Sequence, residues 1–188
     1  MISLSKPLSK HVMVLSIVGA VVFSDVVCAQ QATPAPAQAP APAAPSAAMS
    51  AGGDAQFVMT ASAAGDTEII ASRMAASHAQ SANVKTFAAT MLRDHTAAND
   101  KLRTIAQHDG FTLAGAAMVQ QQPDLVKLDD LHGADFDKAY TAMMRKDHQD
   151  AVTLFTNESS SGQNADLKAF AMQTLPIVQH HLQMAQSL

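Results

Sequence analysis

Apolar side chains recur every three or four residues from Asp54 to the end of the chain, a spacing that predicts amphipathic helices. The pattern divides into four long segments, which cover residues 54–79, 83–108, 134–160 and 164–186. Gly110 and Gly162 follow two of these segments, and Asn164 stands where the last helix needs an N-cap. The hydrophobic pattern therefore predicts four long helices, and no segment favours a strand.

The connection between the second and third long helices, from Asp109 to Gly133, is long enough to cross the length of a helix pair. Residues 111–122 are predicted to form a loop, and Pro123 predicts the first turn of a short helix that ends near His132. Each long helix has a single apolar stripe, which must be buried against other helices. We therefore expect an all-α four-helix bundle with a short extra helix in its long crossover.

The two halves of the helical region resemble each other when Val84 is aligned with Leu167, which we call the repeat alignment. The segment 84–88, Val-Lys-Thr-Phe-Ala, then parallels the segment 167–171, Leu-Lys-Ala-Phe-Ala, and Phe57 corresponds to Tyr140. Two similar helical hairpins joined by a long connection are typical of a ferritin-like bundle. Chance similarity between alanine-rich helices is the alternative explanation.

Residues 1–29 have the features of a secretory signal peptide. Lys6 and Lys10 precede an apolar run of twelve residues, which is too short to span a membrane. Small residues around Cys28 favour cleavage after Ala29, and lipidation of Cys28 is disfavoured because Val27 precedes it. Residues 30–53 then form an Ala/Pro-rich linker, so the predicted helical domain covers residues 54–188.

Composition excludes several classes of function. The net charge is −4, and removal of two lysines and one aspartate with the leader makes it −5, which argues against a nucleic-acid partner. The lone cysteine excludes a cysteine-based metal site, and no nucleophile, phosphate-loop or dinucleotide motif is present. The mature chain is expected to have no transmembrane span, and the sequence leaves its oligomeric state open.

Each long helix carries one potential metal ligand near its middle and close to its apolar stripe. These four residues are Glu68, His95, His148 and His181. Facing helices build metal sites in bundle cores, and a buried carboxylate beside imidazoles is compensated by a cation. We therefore predict a site for a single transition metal ion at these residues, with no catalytic residue assigned.

Other interpretations of these residues stay open. Asp94 and Asp147 precede His95 and His148, and such residues could instead form hydrogen bonds between helices or to water. The absence of a Glu-x-x-His pair from the long helices argues against a di-iron site. Asp129 and His132 have that spacing, but in the connection. Methionine and histidine also recur four residues apart, which suits copper; the alternative is that these methionines fill the core. These pairs are Met74/His78, Met91/His95, Met144/His148 and His180/Met184.

The blocks at 87–95, 136–140 and 144–148, with Thr174-Leu175-Pro176 before His181, resemble the bacterial domain-of-unknown-function family 4142. The resemblance covers roughly residues 55–188 and implies a ferritin-like bundle in an exported protein of the periplasm or outer membrane. It implies no reaction. The leading hypothesis is a non-catalytic cell-envelope protein that binds one metal ion. The alternatives are a periplasmic copper binder, a ferritin-like metal oxidase or peroxide-stress enzyme, and a purely structural module.

Overall fold

The computed structural model describes residues 46–188, with side chains from residue 53 onward. The predicted signal peptide, Cys28 and most of the predicted linker lie outside these residues. Within the described range the chain is all-α. Its six helices are α1 (Ser46–His78), α2 (Ala82–Asp109), α3 (Ala116–Gln120), α4 (Pro123–Asp129), α5 (Gly133–Ser161) and α6 (Ala165–Gln186). No helix of this part of the chain is long and apolar enough to cross a membrane.

The helix ends of α2 and α6 follow the local sequence. The Ser81 side chain accepts a hydrogen bond from the Val84 amide, and Asn164 caps α6 in the same way. Gly110 ends α2 in the left-handed conformation, at φ 78°, which a residue without a side chain adopts without strain. The predicted ends at Gly110 and Asn164 are confirmed.

Two helical predictions were wrong. Helix α1 begins at Ser46 rather than at Asp54, so it extends into the segment assigned to the linker. The residues after Pro45 are rich in alanine, which favours a helix once proline is absent. The predicted loop at 111–122 also contains α3, where Val119 is buried and supplies the tertiary contact that this short helix needs.

The four long helices pack as two pairs. Helix α1 packs on α2 and α5 on α6, and the pairs meet through contacts of α1 with α5 and of α2 with α6. At one end of the helices the side-chain amide of Asn164 donates a hydrogen bond to Asp109, where the connection begins. At the other end Ala79 lies beside Gly133, where the connection ends. The connection with α3 and α4 therefore runs the length of the helices, and both short helices contact α1.

The same contacts between the two halves occur twice, at positions that the repeat alignment makes equivalent. Asp54 on α1 accepts hydrogen bonds from the backbone amides of Gln163 and Asn164, in the turn before α6. Its counterpart Asp137 on α5 accepts hydrogen bonds from the amides of Gln80 and Ser81, in the turn before α2. Each half thus supplies the carboxylate that holds the other half's turn.

The apolar core shows the same correspondence. At one end Phe57 packs against Phe155 and Phe170, with ring centroids 5.2 and 6.3 Å away. At the other end Tyr140, which is the counterpart of Phe57, lies 6.1 Å from Phe87 and forms a 2.8 Å hydrogen bond to Ser72. The counterparts of Phe155 and Phe170 are Ser72 and Phe87. The sequence repeat is therefore a structural repeat, with two equivalent apolar clusters.

Candidate metal centre

Four polar side chains meet between the two apolar clusters, one from each long helix. Glu68 lies on α1, His95 on α2, His148 on α5 and His181 on α6. His148 is fully buried, His181 is 2% exposed and Glu68 is 3% exposed. The residues that sequence spacing singled out as candidate ligands are thus neighbours in the fold.

The three imidazole rings form a compact triangle. Their centroids are separated by 5.5 Å between His95 and His148 and by 5.4 Å between His181 and each of the other two. One ring nitrogen from each histidine lies within 4.8 Å of the other two. This spacing is small enough for the three nitrogens to share one ion, since metal–nitrogen bonds are about 2 Å long.

In each ring, one of the two nitrogens donates a hydrogen bond to an acceptor. His95 donates from Nδ1 to Glu68 Oε2 at 2.9 Å, and His148 donates from Nδ1 to the Met144 carbonyl oxygen at 2.9 Å. His181 donates from Nε2 to Asp94 Oδ2 at 3.0 Å. In a neutral ring the acceptor selects the tautomer, because a ring that donates from one nitrogen has a lone pair on the other.

The second nitrogen of every ring is buried and has no hydrogen-bond partner among the described residues. These atoms are His95 Nε2, His148 Nε2 and His181 Nδ1. A buried polar atom without a partner costs free energy, and such atoms are rare in folded proteins. All three atoms belong to the histidines of the triangle.

Glu68 contacts the Nδ1 atoms of His95 and His148, and not the ring nitrogens that have no partner. Its Oε2 accepts the hydrogen bond from His95, and its Oε1 lies 3.3 Å from His148 Nδ1. The second contact is electrostatic, because the proton on His148 Nδ1 is directed to the Met144 carbonyl. Glu68 is not part of the three-residue cluster.

Burial and charge set the protonation of these groups. Burial alone would raise the pKa of Glu68, but His95 and His148 outweigh it and lower that pKa below its ordinary value. Burial would likewise lower the pKa of His95, but the charge and hydrogen bond of Glu68 raise it. Burial lowers the pKa of His148 and reduces that of His181 to about 4. His148 and His181 are therefore neutral near pH 7, the form in which imidazole binds metals.

Asp94 forms a hydrogen bond between helices, which is the alternative that the sequence analysis gave for this residue. Its carboxylate accepts a hydrogen bond from Arg93 at 2.7 Å, which lowers the pKa of Asp94, and its other oxygen holds His181. Adjacent residues on a helix point about 100° apart, so Asp94 and His95 face different helices. The adjacent positions of Asp94 and His95 were the available signal. One of these residues belongs to the triangle, and the other accepts a hydrogen bond from a different histidine of the triangle.

The other sequence candidates are dispersed. Met91 and Met144 are fully buried members of the apolar cluster. His78 packs against the His132 ring, whose centroid is 4.2 Å away, at the end of α1, while His180 is exposed. The four Met–His pairs do not meet at one place. Asp129 ends α4 and His132 caps α5, so that pair does not share a helix.

A cavity of about 200 Å³ adjoins the histidine triangle. Glu68, His95 and His181 line its inner side. The remaining wall is mostly apolar and includes Leu102, Phe155, Phe170 and Val178. Lys101 and Gln173 lie on its exposed side, where the lysine donates a hydrogen bond to the glutamine.

The fold and site define a class: all-α proteins in which paired helices enclose a buried histidine cluster. The chain belongs to the DUF4142 family, a domain of unknown function whose model matches residues 38–188, so the resemblance seen in the sequence is confirmed. No curated protein matches it.

Two crystal structures share the fold. One is a DUF305 protein from Streptomyces coelicolor that is described as secreted, with a TM-score of 0.61 and 12% identity over 71% of this chain and 89% of that one. The other is a DUF305 fragment from Deinococcus radiodurans, with a TM-score of 0.61 and 11% identity over 72% and 93%. At these identities the likeness concerns the fold alone.

Proposed function

We propose that this protein is an exported metal-binding protein of the cell envelope, built as a ferritin-like four-helix bundle. It holds one transition metal ion on His95 Nε2, His148 Nε2 and His181 Nδ1. The observation that carries the proposal is the cluster of three histidines, each with one buried ring nitrogen that has no hydrogen-bond partner in the described chain. A bound ion would satisfy all three.

The residues fit a transition metal better than a hard cation. Imidazole nitrogens suit zinc, copper, nickel and cobalt, whereas magnesium and calcium take oxygen ligands. The carboxylates of Glu68 and Asp94 hold the ligand rings, as acceptors behind metal-bound histidines commonly do. In this proposal Glu68 supplies negative charge and orients the His95 ring. It does not bind the metal ion, although the sequence predicts it as a ligand.

Three protein ligands leave a coordination position for an outside molecule. Catalytic zinc sites have this arrangement, whereas structural zinc sites use four protein ligands. The arrangement leaves the metal-oxidase alternative open, but no residue of the site is assigned a step in a reaction. The copper alternative is retained only in the form of copper bound at the same three histidines.

Metal titration of the purified chain tests the proposal. We expect one equivalent of Zn²⁺, Co²⁺ or Cu²⁺ to bind by calorimetry and to raise the unfolding temperature. His181→Gln should abolish this binding, while His180→Gln is a matched control because the neighbouring ring is exposed. Equal metal affinity in the wild type and His181→Gln would refute the proposed site.

Export is proposed from the leader, and the DUF305 relative described as secreted is consistent with it. Expression of the full chain in a Gram-negative host, followed by fractionation and N-terminal sequencing, tests this part. We expect a periplasmic or outer-membrane product that begins at Gln30. A product with an intact N-terminus in the cytoplasm would contradict export.

A further inference from the structure

The repeat alignment relates the residues of the histidine triangle and Glu68 to a second set of four positions. The cavity beside the triangle lies at this second set. In the repeat alignment, the counterparts of the four polar residues are small or apolar. Glu68 corresponds to Ala151, His95 to Val178, His148 to Gly65 and His181 to Ala98. All four counterparts line the cavity.

The space follows from these substitutions. Where one set of four positions carries a carboxylate and three imidazoles, the equivalent set carries two alanines, a glycine and a valine, which are smaller. The result is a chamber of about 200 Å³ whose wall includes Glu68, His95 and His181. A dry apolar cavity of about 150 Å³ in another protein holds benzene, so this chamber has room for a molecule of that size or slightly larger.

We infer that the chamber binds a small, uncharged, largely apolar organic molecule beside the metal ion. This inference rests on the proposed metal site and names the class of molecule that reaches its open coordination position. The ligand would contact Leu102, Phe155 and Phe170 on one side and the imidazole of His95 on the other.

Charge excludes the other ligand classes. An organic anion would lie beside the carboxylates of Glu68 and Asp94, which both line the chamber, and would lose its hydration among the apolar side chains. An organic cation would lose its hydration among apolar side chains and face a bound metal cation. An uncharged ligand has neither cost and gains from the burial of its apolar surface.

Toluene is the probe for the chamber, and Ala98→Leu is the variant that fills it. We expect the metal-free chain to bind toluene by calorimetry, and Ala98→Leu to weaken this binding about tenfold or more because leucine takes the ligand's space. Ala89→Leu is the matched control, since Ala89 is exposed on the same helix. Ala151→Leu fills the chamber from α5 and serves if Ala98→Leu does not fold.

Co²⁺-loaded protein tests whether the chamber reaches the metal. We expect 4-phenylimidazole to change the Co²⁺ absorption spectrum at a lower concentration than imidazole, because its phenyl ring enters the chamber. Ala98→Leu should remove this advantage and leave Co²⁺ binding intact.

The two proposals fail in different ways. Absence of Co²⁺ binding in the wild type refutes the metal site, and toluene binding with its loss in Ala98→Leu then supports the chamber alone. Absence of toluene binding, equal binding in Ala98→Leu, or no preference for 4-phenylimidazole on a Co²⁺-loaded chain overturns the inference.

Discussion

Gly65 on α1 allows Asn99 on α2 to approach the helix backbone, and we predict that Gly65→Ala destabilises the fold. A Cβ atom at residue 65 would lie 2.8 Å from the Asn99 side-chain carbon Cγ and closer still to its oxygen. Asn99 is only 8% exposed, and its amide donates to Asp66 at 2.7 Å. The asparagine must therefore move, and its hydrogen bond to the carboxylate is lost.

Two opposing terms determine the size of the effect. Alanine is preferred to glycine inside a helix by about 1 kcal/mol. Loss of a hydrogen bond to a charged acceptor costs about 1.5–3 kcal/mol. Gly65→Ala alone should therefore lower the free energy of unfolding by about 0.5–2 kcal/mol. With Asn99→Ala already present the clash is absent, and Gly65→Ala should stabilise by about 1 kcal/mol.

Urea unfolding followed by circular dichroism measures this double-mutant cycle. Gly53→Ala is the control, because a Cβ atom at that helical position has no neighbour within 4 Å. We expect the control not to destabilise. Stabilisation of the wild type by Gly65→Ala, or a coupling free energy near zero in the cycle, would refute the assigned contact.

Three further predictions follow from the buried carboxylates. Glu68→Gln should weaken metal affinity by about 10- to 100-fold in competition with a chelator, because the acceptor behind His95 loses its charge; Glu158→Gln is the matched control, and equal weakening in both would contradict the assigned role. Burial and the nearby Asp54 raise the pKa of Glu158 to about 7, above its unfolded value near 4.5, so the folded chain binds the extra proton and its stability falls as pH rises between these values. Glu158→Gln should reduce this fall by about 1–2 kcal/mol in unfolding experiments from pH 4.5 to 7.5, and an unchanged pH profile would count against it. Asp54→Asn should lower the free energy of unfolding by about 1–3 kcal/mol, because one amide oxygen replaces two carboxylate acceptors. The loss should exceed that of Asp137→Asn, whose site is less buried, and the reverse order in urea unfolding would exclude this explanation.

Much of the fold could be predicted because its signals are local. The side chains of Ser81 and Asn164 cap helices that begin immediately after them, and the three- and four-residue spacing of apolar positions marks the buried faces. The start of α1 could not be predicted in this way. Asp54 is a residue type that often caps helices, but its carboxylate accepts hydrogen bonds from the backbone amides of Gln163 and Asn164, which are far away in the sequence.

The candidate site was predictable in its membership and not in its arrangement. Position on the apolar stripe selected Glu68 and the three histidines. The direction of each ring depends on acceptors that come from other helices or from the backbone, such as Asp94 for His181 and Met144 for His148. The chamber depends on the small side chains of Ala98 and Ala151, and small residues have no distinctive pattern in an alanine-rich helix.

The exchanged turn contacts of Asp54 and Asp137 have a consequence for how the chain folds. The turn of an isolated hairpin lacks the carboxylate that holds it, because that carboxylate belongs to the other hairpin. Detachment of either hairpin removes hydrogen bonds from both turns together. We therefore expect the two halves to unfold as one cooperative unit, and half-length chains to recover native structure only when both are mixed.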